Sequence, residues 1–351
     1  MANKINIGDS WEDLDSIQIN IGDAWKDVVE AYINIGDAWK KFYPGAFKFE
    51  VITTAADTFQ LPIYDGGTYD FHVVWGDGNT SDITAYNDAA ANHSYVGAGT
   101  YNVEITGTLV GWRFNAAGDR TLIHDISQWG ILDVGELGHN FFGCSNLTIS
   151  ATDGLNCPDK TDFRSCFSNC HDLTALPSGV FDKCTAALTF LACFSYCEDL
   201  ITLPSDLFDK CTLVTNFDKC FSSCNSVVIP AGLFDKNIEV TTFYQCFYQC
   251  DNLASLPAGL FDKNIEVTTF RLCFYQCDNL ASLPADLIKY NTKIDTCEYM
   301  FYGCASMTGD GTAFCDQATT HGVTTTGDCF TGCTSLPDYD DIPAAFGGGG
   351  D

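Results

Sequence analysis

A five-residue motif, CFxxC, recurs along the second half of this 351-residue chain. Strong copies occupy residues 166–170, 193–197, 220–224, 246–250, 273–277 and 329–333, and weaker copies end at Cys144 and Cys304. The last cysteines of the eight copies are separated by 26, 27, 27, 26, 27, 27 and 29 residues. A fixed period of this length is typical of stacked units that contact only their neighbours. The motif therefore predicts a solenoid rather than one compact core.

The residues within each unit predict a short helix followed by a short strand. Phe163, Cys166, Phe167 and Cys170 stand at i, i+3, i+4 and i+7, which would place them on one helical face. The L-x-x-L-P segment that follows favours a strand ended by a proline, which cannot donate to a ladder. The cysteines of this face form a predicted structural ladder: Cys166, Cys170, Cys193, Cys197, Cys220, Cys224, Cys246, Cys250, Cys273 and Cys277.

A second column of residues changes from cysteine to asparagine along the repeats. Its members are Cys157, Cys184, Cys211, Asn237, Asn264 and Asn291. Both residue types are small and can hydrogen-bond to the backbone, so the exchange favours a buried turn position over an obligatory bridge. We therefore expect buried free thiols, with disulfides between repeats and metal binding as the alternatives.

The first 46 residues contain a shorter repeat, INIGDSW or INIGDAW. Trp11, Trp25 and Trp39 are 14 residues apart, and each copy alternates apolar residues around a Gly-Asp turn, which predicts a β-hairpin. A hairpin of this size cannot bury its own apolar face. The three hairpins would either form a small sheet on the next domain or, through these tryptophans, attach the protein to a larger assembly.

Residues 47–127 alternate in the manner of strands, which predicts a β-sandwich. The phrases WGDG (residues 75–78), HSY (93–95) and GTYNVEITG (99–107) resemble the PKD domain, an immunoglobulin-like sandwich common in surface proteins. The repeats of residues 128–346 resemble BspA-like leucine-rich repeats. The N-terminal hairpin motif is similar to segments at the ends of bacteriophage virion proteins. The expected fold class is thus mixed and modular: β-hairpins, a PKD-like sandwich, an α/β leucine-rich-repeat-type solenoid, and a Gly-rich tail at 347–351.

Charge and hydropathy restrict the possible partners. Lys and Arg total 17 against 46 Asp and Glu, a formal net charge of -29 that repels nucleic acid and anionic membranes. No segment has 18 consecutive apolar residues, so we expect no membrane insertion. The first residues also have no apolar stretch behind a basic start, as a secretion signal would have.

The sequence predicts no catalytic residue, cofactor or metal site. The six histidines are scattered and no phosphate-binding loop is present. Asp310, Asp338, Asp340 and Asp341 could hold calcium but have no recognised loop spacing. Tyrosines favour recognition surfaces, and four of them fall at the less buried positions of the motif, which makes them the candidate ligand-binding surface: Tyr196, Tyr248, Tyr275 and Tyr302.

Two adjacent units are nearly identical copies. Residues 233–258 and 260–285 differ only at Tyr244/Arg271 and Gln245/Leu272. Such a duplication lengthens a solenoid without disturbing the packing between units.

These features together favour a non-enzymatic structural or adhesive protein. The expected form is a bacteriophage virion fibre or decoration protein on the virion surface, joined to other virion proteins through its N-terminal repeats, with a homotrimer as the candidate oligomeric state. Its repeats would bind a glycan or protein of the host surface. A bacterial cell-surface adhesin and an intracellular protein-binding scaffold are the alternatives. The absence of a secretion signal counts against the adhesin, and the PKD-like module counts against the scaffold.

Overall fold

The computed structural model describes residues 45–350 together with the backbone of six short strands before them. These strands are β1 (Lys4–Ile7), β2 (Ser10–Asp13), β3 (Gln18–Ile21), β4 (Ala24–Asp27), β5 (Ala31–Ile35) and β6 (Ala38–Tyr43). Each consecutive pair forms an antiparallel two-stranded hairpin. The tryptophans of the repeat pair with asparagines in all three, as in Asn6 with Trp11.

A seven-stranded mixed sheet follows the hairpins. Its strands are β7 (Phe47–Thr53), β9 (Thr68–Val74), β10 (Thr80–Ile83), β12 (Gly99–Val110), β13 (Ile123–Gln128), β14 (Leu132–Asp133) and β15 (Thr148–Ile149). The order is β10-β9-β12-β7-β13-β15, with β14 paired to β12. A second antiparallel sheet contains β8 (Asp57–Gln60) and β11 (Asn92–Tyr95). The larger sheet therefore continues past residue 127 into the first repeat.

Alternating apolar residues bury one face of the larger sheet. In β7 the side chains of Phe47, Phe49 and Val51 are buried and those between them are half-buried, as a strand with one core face requires. Trp112 packs edge-on against Phe47 at 5.2 Å and lies 6.4 Å from Phe141 of the first repeat. The sheet and the repeats therefore share one continuous core.

The predicted α/β leucine-rich-repeat-type solenoid is wrong, because the repeats contain no α-helix and the described chain is mainly β. Residues 150–309 consist of turns joined by single parallel bridges between repeats. One such column runs through Asp162, Thr189, Asn216, Thr242, Thr269, Thr296 and Thr325. Within residues 45–350 the α-helix α1 (Gly311–Thr320) stands alone, after the regular repeats.

Backbone hydrogen bonding explains why the helical spacing misleads. In the first strong copy the amides of Ser165, Phe167 and Asn169 donate to carbonyls of the next repeat at 2.8–2.9 Å, while the amides between them make turns within the repeat. Ser165 and Asn169 also have positive φ angles, 49° and 59°, and each later copy repeats this pair of left-handed residues. A helix needs every amide for its own i−4 carbonyl and has no left-handed residues. The turn still directs the four apolar residues inward.

Stacked phenylalanine rings fill the interior of the repeats. The phenylalanine inside each CFxxC motif lies against its equivalents in both neighbouring units; Phe221, for example, is 5.5 Å from Phe194 and 5.6 Å from Phe247. Two further columns of phenylalanines pack beside this one, including Phe217 and Phe234 at 4.9 Å. Every repeat thus buries its apolar face against its two neighbours.

The helix α1 and the residues after the last motif cover the C-terminal repeat. Asp310 caps α1 by accepting from the Ala313 amide at 2.7 Å, and Asp338 accepts from the amides of Gly311 and Thr312 at 3.2 and 2.7 Å. These carboxylates, considered above for calcium, are therefore occupied with helix capping. The glycine segment at 347–350 hydrogen-bonds to Tyr339 and Ile342.

Candidate functional site

Three of the four predicted tyrosines form a stacked row on the surface of the repeats. Tyr248 and Tyr275 lie 4.9 Å apart with ring planes at 5°, and Tyr275 and Tyr302 lie 5.0 Å apart at 7°. We call these three residues the tyrosine row. Stacking covers the facing sides of neighbouring rings, and the three side chains are half-buried.

The turn around each motif fixes these tyrosines. Each tyrosine is the third residue of its motif, directly after the buried phenylalanine. The Tyr275 amide donates to Leu272 at 3.3 Å, and the Tyr275 carbonyl accepts from the Gln249 amide at 2.8 Å. With Phe274 buried and the backbone held on both sides, the Tyr275 side chain projects to the surface.

Tyr196 lies outside the tyrosine row. It is the fourth residue of its motif, has a φ of 60° and is 48% exposed. The third position of that motif is Ser195, which is buried. The spacing of the motif thus places Tyr196 in the column of Gln249 and Gln276, one residue further along each turn.

An arginine lies beside the row between two further tyrosine rings. The Arg271 guanidinium carbon is 5.7 Å from the ring centre of Tyr244 and 5.9 Å from that of Tyr299, within the range of cation–π attraction. Its Nε donates to Glu298 at 2.6 Å, which raises the pKa of Arg271 and neutralises its charge locally. The terminal guanidinium nitrogens of Arg271 remain as further donors.

These residues line a groove of about 530 Å³. We call it the tyrosine groove; its lining is Gln245, Tyr248, Arg271, Leu272, Tyr275, Tyr299, Tyr302, Asp328 and Thr331. Tyr299 packs edge-on against Tyr302 at 5.8 Å. Aromatic walls with a few convergent polar groups are the usual composition of a ligand site.

The phenols of Tyr248 and Tyr299 are neutral donors and acceptors at physiological pH. Burial, and to a smaller extent the neighbouring Tyr275, raises the pKa of Tyr248. The Asp328 carboxylate raises the pKa of Tyr299. Since an ordinary phenol already has a pKa near 10, these shifts keep the hydroxyl groups protonated.

Most residues of the groove could not be recognised from the sequence. Arg271, Tyr299 and Asp328 each lie one or two residues before the motif of a different repeat. They come together in the groove only when the chain is folded. One signal could have found it: the duplicated units differ only at residues 244/271 and 245/272. Gln245, Arg271 and Leu272 line the groove, and Tyr244 lies against Arg271.

The predicted cysteine ladder is buried and its thiols are free. All nineteen cysteines are buried, and the second cysteine of each strong motif donates to the carbonyl of a phenylalanine one repeat earlier, as Cys224 does to Phe194 at 3.0 Å. Burial raises the pKa of the Cys220 and Cys273 thiols well above the ordinary value. Neutral buried thiols are poor nucleophiles and poor metal ligands.

The column that changes from cysteine to asparagine makes the same kind of contact. Asn264 Nδ2 donates to the carbonyls of Phe234 at 3.1 Å and Asn237 at 2.9 Å. The Cys211 thiol approaches the Phe181 carbonyl at 3.7 Å. Both residue types thus connect a turn to the preceding repeat.

The side chains of the predicted attachment residues Trp11, Trp25 and Trp39 lie outside the described residues. Within the described part of the chain, no three His, Cys, Asp or Glu residues gather as a metal site. No helix there has the length and apolar character needed to cross a bilayer.

No protein-family model matches this chain, and no curated protein is significantly similar to it in sequence.

Proposed function

We propose that this chain is a non-enzymatic binding protein that uses the tyrosine groove to hold a ligand on another surface. The groove carries the proposal. It places a row of three stacked tyrosines beside Arg271, whose terminal guanidinium nitrogens can donate hydrogen bonds to a ligand. Tyrosine and arginine contribute more binding energy at interfaces than most residue types.

The duplicated units support this location. Exposed positions away from the groove are unchanged between the copies, such as Ile238/Ile265 and Asp251/Asp278. Both differences lie at the groove. Divergence at binding positions on a constant scaffold is the usual way in which repeat proteins acquire specificity.

We further propose that the protein is a bacteriophage virion fibre or decoration protein, with residues 1–46 joining it to other virion proteins. The resemblance of the INIGDAW hairpins to virion segments favours this setting. In a bacterial adhesin or an intracellular scaffold the same groove would face a different partner.

Cell binding tests the adhesive role. Fluorescently labelled full-length protein is applied to a panel of fixed bacterial cells, and retained fluorescence is measured for the wild type, Tyr275→Ala and Tyr290→Ala. Tyr290 is 46% exposed and does not line the groove, so it is the matched control. We expect Tyr275→Ala to lose retention and Tyr290→Ala to keep it. Equal retention of Tyr275→Ala and Tyr290→Ala would show that the tyrosine groove does not bind the cells.

Deletion of residues 1–46 tests attachment. We expect the truncated chain to fold and to bind cells as the wild type does, because the repeats and the sheet have their own continuous core. It should be missing from assembled particles when co-expressed with the other virion proteins. Incorporation at the wild-type level would contradict the attachment role.

A further inference from the structure

We infer that the ligand of the tyrosine groove is a neutral oligosaccharide that extends along the stack of repeats. The inference rests on the proposed binding function and adds the chemical class of the ligand. Three features of the groove lead to it: its charge, its hydrogen-bonding groups and its direction.

The charge of the groove excludes acidic ligands. Among its lining residues, the cationic Arg271 is paired with Glu298, and Asp328 is a further acidic residue. The whole chain adds a formal charge of -29. A sugar acid or a phosphorylated ligand would meet repulsion both at long range and at Asp328.

The hydrogen-bonding groups match those of a ligand rich in hydroxyl groups. A phenol both donates and accepts one hydrogen bond or more, as a sugar hydroxyl does. No hydrogen bond to another residue of the described chain engages the hydroxyls of Tyr248, Tyr275 or Tyr302. Arg271 and Gln245 add donors. Asp328 Oδ1 already accepts from the Thr331 hydroxyl at 2.8 Å, and the carboxylate has lone pairs left to accept from a sugar hydroxyl.

The direction of the row favours a chain-like ligand. The rings are 4.9 and 5.0 Å apart from one repeat to the next, so the tyrosine row follows the stacking of the repeats. A linear oligosaccharide can place successive units against successive tyrosines. A folded protein partner normally buries an apolar centre, whereas the lining of this groove adds the polar residues Gln245, Arg271, Asp328 and Thr331 to its tyrosines.

Direct binding to defined sugars tests the ligand class. The probes are maltohexaose, cellohexaose and N-acetylchitohexaose, with hexagalacturonate as the acidic counterpart, each titrated into full-length protein and followed by saturation-transfer NMR. We expect at least one neutral hexamer to bind and its trimer to bind more weakly. Hexagalacturonate should not bind. If none of the neutral hexamers binds at millimolar concentration, or if the acidic one binds best, the inference is overturned.

A tyrosine-to-phenylalanine substitution shows whether the ligand binds the hydroxyl groups of the row or only its aromatic rings. Tyr275→Phe removes one hydroxyl and keeps the ring, so we expect about two- to tenfold weaker binding, the range for a lost hydrogen bond between neutral groups. Tyr290→Phe should change nothing. Unchanged affinity of Tyr275→Phe would contradict recognition through the row.

The duplication supplies a variant that keeps the fold. Arg271→Tyr with Leu272→Gln gives the second unit the residues that the first carries in the same turn, so its melting temperature should match the wild type. Because it removes the guanidinium from the groove, we expect about tenfold weaker binding of the neutral hexamer. Full affinity in this variant would exclude a role for Arg271.

Cell treatments distinguish failure of the ligand class from failure of the binding function. Periodate cleaves vicinal diols of sugars, whereas proteinase K removes surface proteins. Retention of labelled protein should survive the protease. It should be lost after periodate if the sugar has vicinal diols, as 1,4-linked glucose has and internal 1,4-linked N-acetylglucosamine has not. Groove-dependent retention that survives periodate but not the protease would leave the adhesive function standing and replace the sugar with a protein.

Discussion

At the scale of the residue, side-chain donors in the repeats satisfy buried backbone carbonyls of the preceding unit. Cysteine does this in every strong motif, and asparagine does it in the second column. Each of these carbonyls also accepts an amide of its own repeat, as Phe194 does from Cys197 at 3.1 Å, so the side chain adds a second hydrogen bond that contributes about 0.5–1.5 kcal/mol. Cysteine and asparagine at these positions therefore share the ability to donate this hydrogen bond more than they share size or hydropathy.

Substitutions of Phe221 and Cys224 separate the contribution of ring packing to stability from that of the side-chain hydrogen bond. Phe221→Ala empties a ring-sized space between Phe194 and Phe247 and should lower the free energy of unfolding by about 3–5 kcal/mol. Cys224→Ser keeps a donor for the Phe194 carbonyl and should cost about 1 kcal/mol. Urea unfolding under reducing conditions measures both, and equal costs would contradict this account.

Asn264 tests whether the asparagine column is a hydrogen-bond position. Asn264→Ala removes both donors to the preceding repeat and should destabilise the protein by about 1–3 kcal/mol. Asn264→Cys should cost less, because Cys211 occupies the equivalent turn and because the Asn264 Oδ1 has no partner among the described residues. A cysteine variant as unstable as the alanine variant would show that the position depends on the amide alone.

At the scale of the element, α1 depends on a carboxylate from outside the helix. Burial disfavours the charge of Asp338, but the amides of Thr312 and Gly311 more than offset this and lower its pKa. A lowered pKa in the folded state stabilises the protein above the pKa of the unfolded state, and the gain is lost as the pH falls through the folded-state value.

Asp338→Asn is therefore expected to be less stable than the wild type at neutral pH. The difference should shrink as the pH falls below about 4, the ordinary pKa of an aspartate, and through the lower pKa of the folded carboxyl. Melting temperatures of the two proteins across this pH range provide the measurement. A constant difference down to the lowest pH would mean that Asp338 acts through packing and not through its charge.

The elements of the repeats could be predicted only in part. Periodicity identified the repeat length and the inward direction of Phe163, Cys166, Phe167 and Cys170, which are all buried. It could not distinguish a helix from this turn, because the two conformations direct i, i+3, i+4 and i+7 to the same side. The contacts that distinguish the two conformations are hydrogen bonds from backbone amides to carbonyls of a neighbouring repeat. The spacing of residues within one repeat does not reveal these bonds. The residues of the groove likewise come together only when four repeats are stacked.

At the scale of the whole molecule, the thiols predict an insensitivity to redox conditions. All nineteen cysteines are free and buried, and packing of stacked rings carries the stability. We expect about nineteen reactive thiols after denaturation without reductant and almost none in the folded protein. The melting temperature should not change with reductant. A loss of about 2–4 kcal/mol on reduction would instead indicate a cross-linked protein.

The regular advance of the tyrosine row by 4.9 and 5.0 Å has a consequence for how such a protein can change. Recombination between the two near-identical units would add or remove one whole turn, and with it one hydroxyl of the row. Each event would alter the length of sugar that can be held while every remaining contact keeps its geometry. A population of these genes could therefore sample ligands of different chain length by unequal crossing-over, without passing through unstable intermediates.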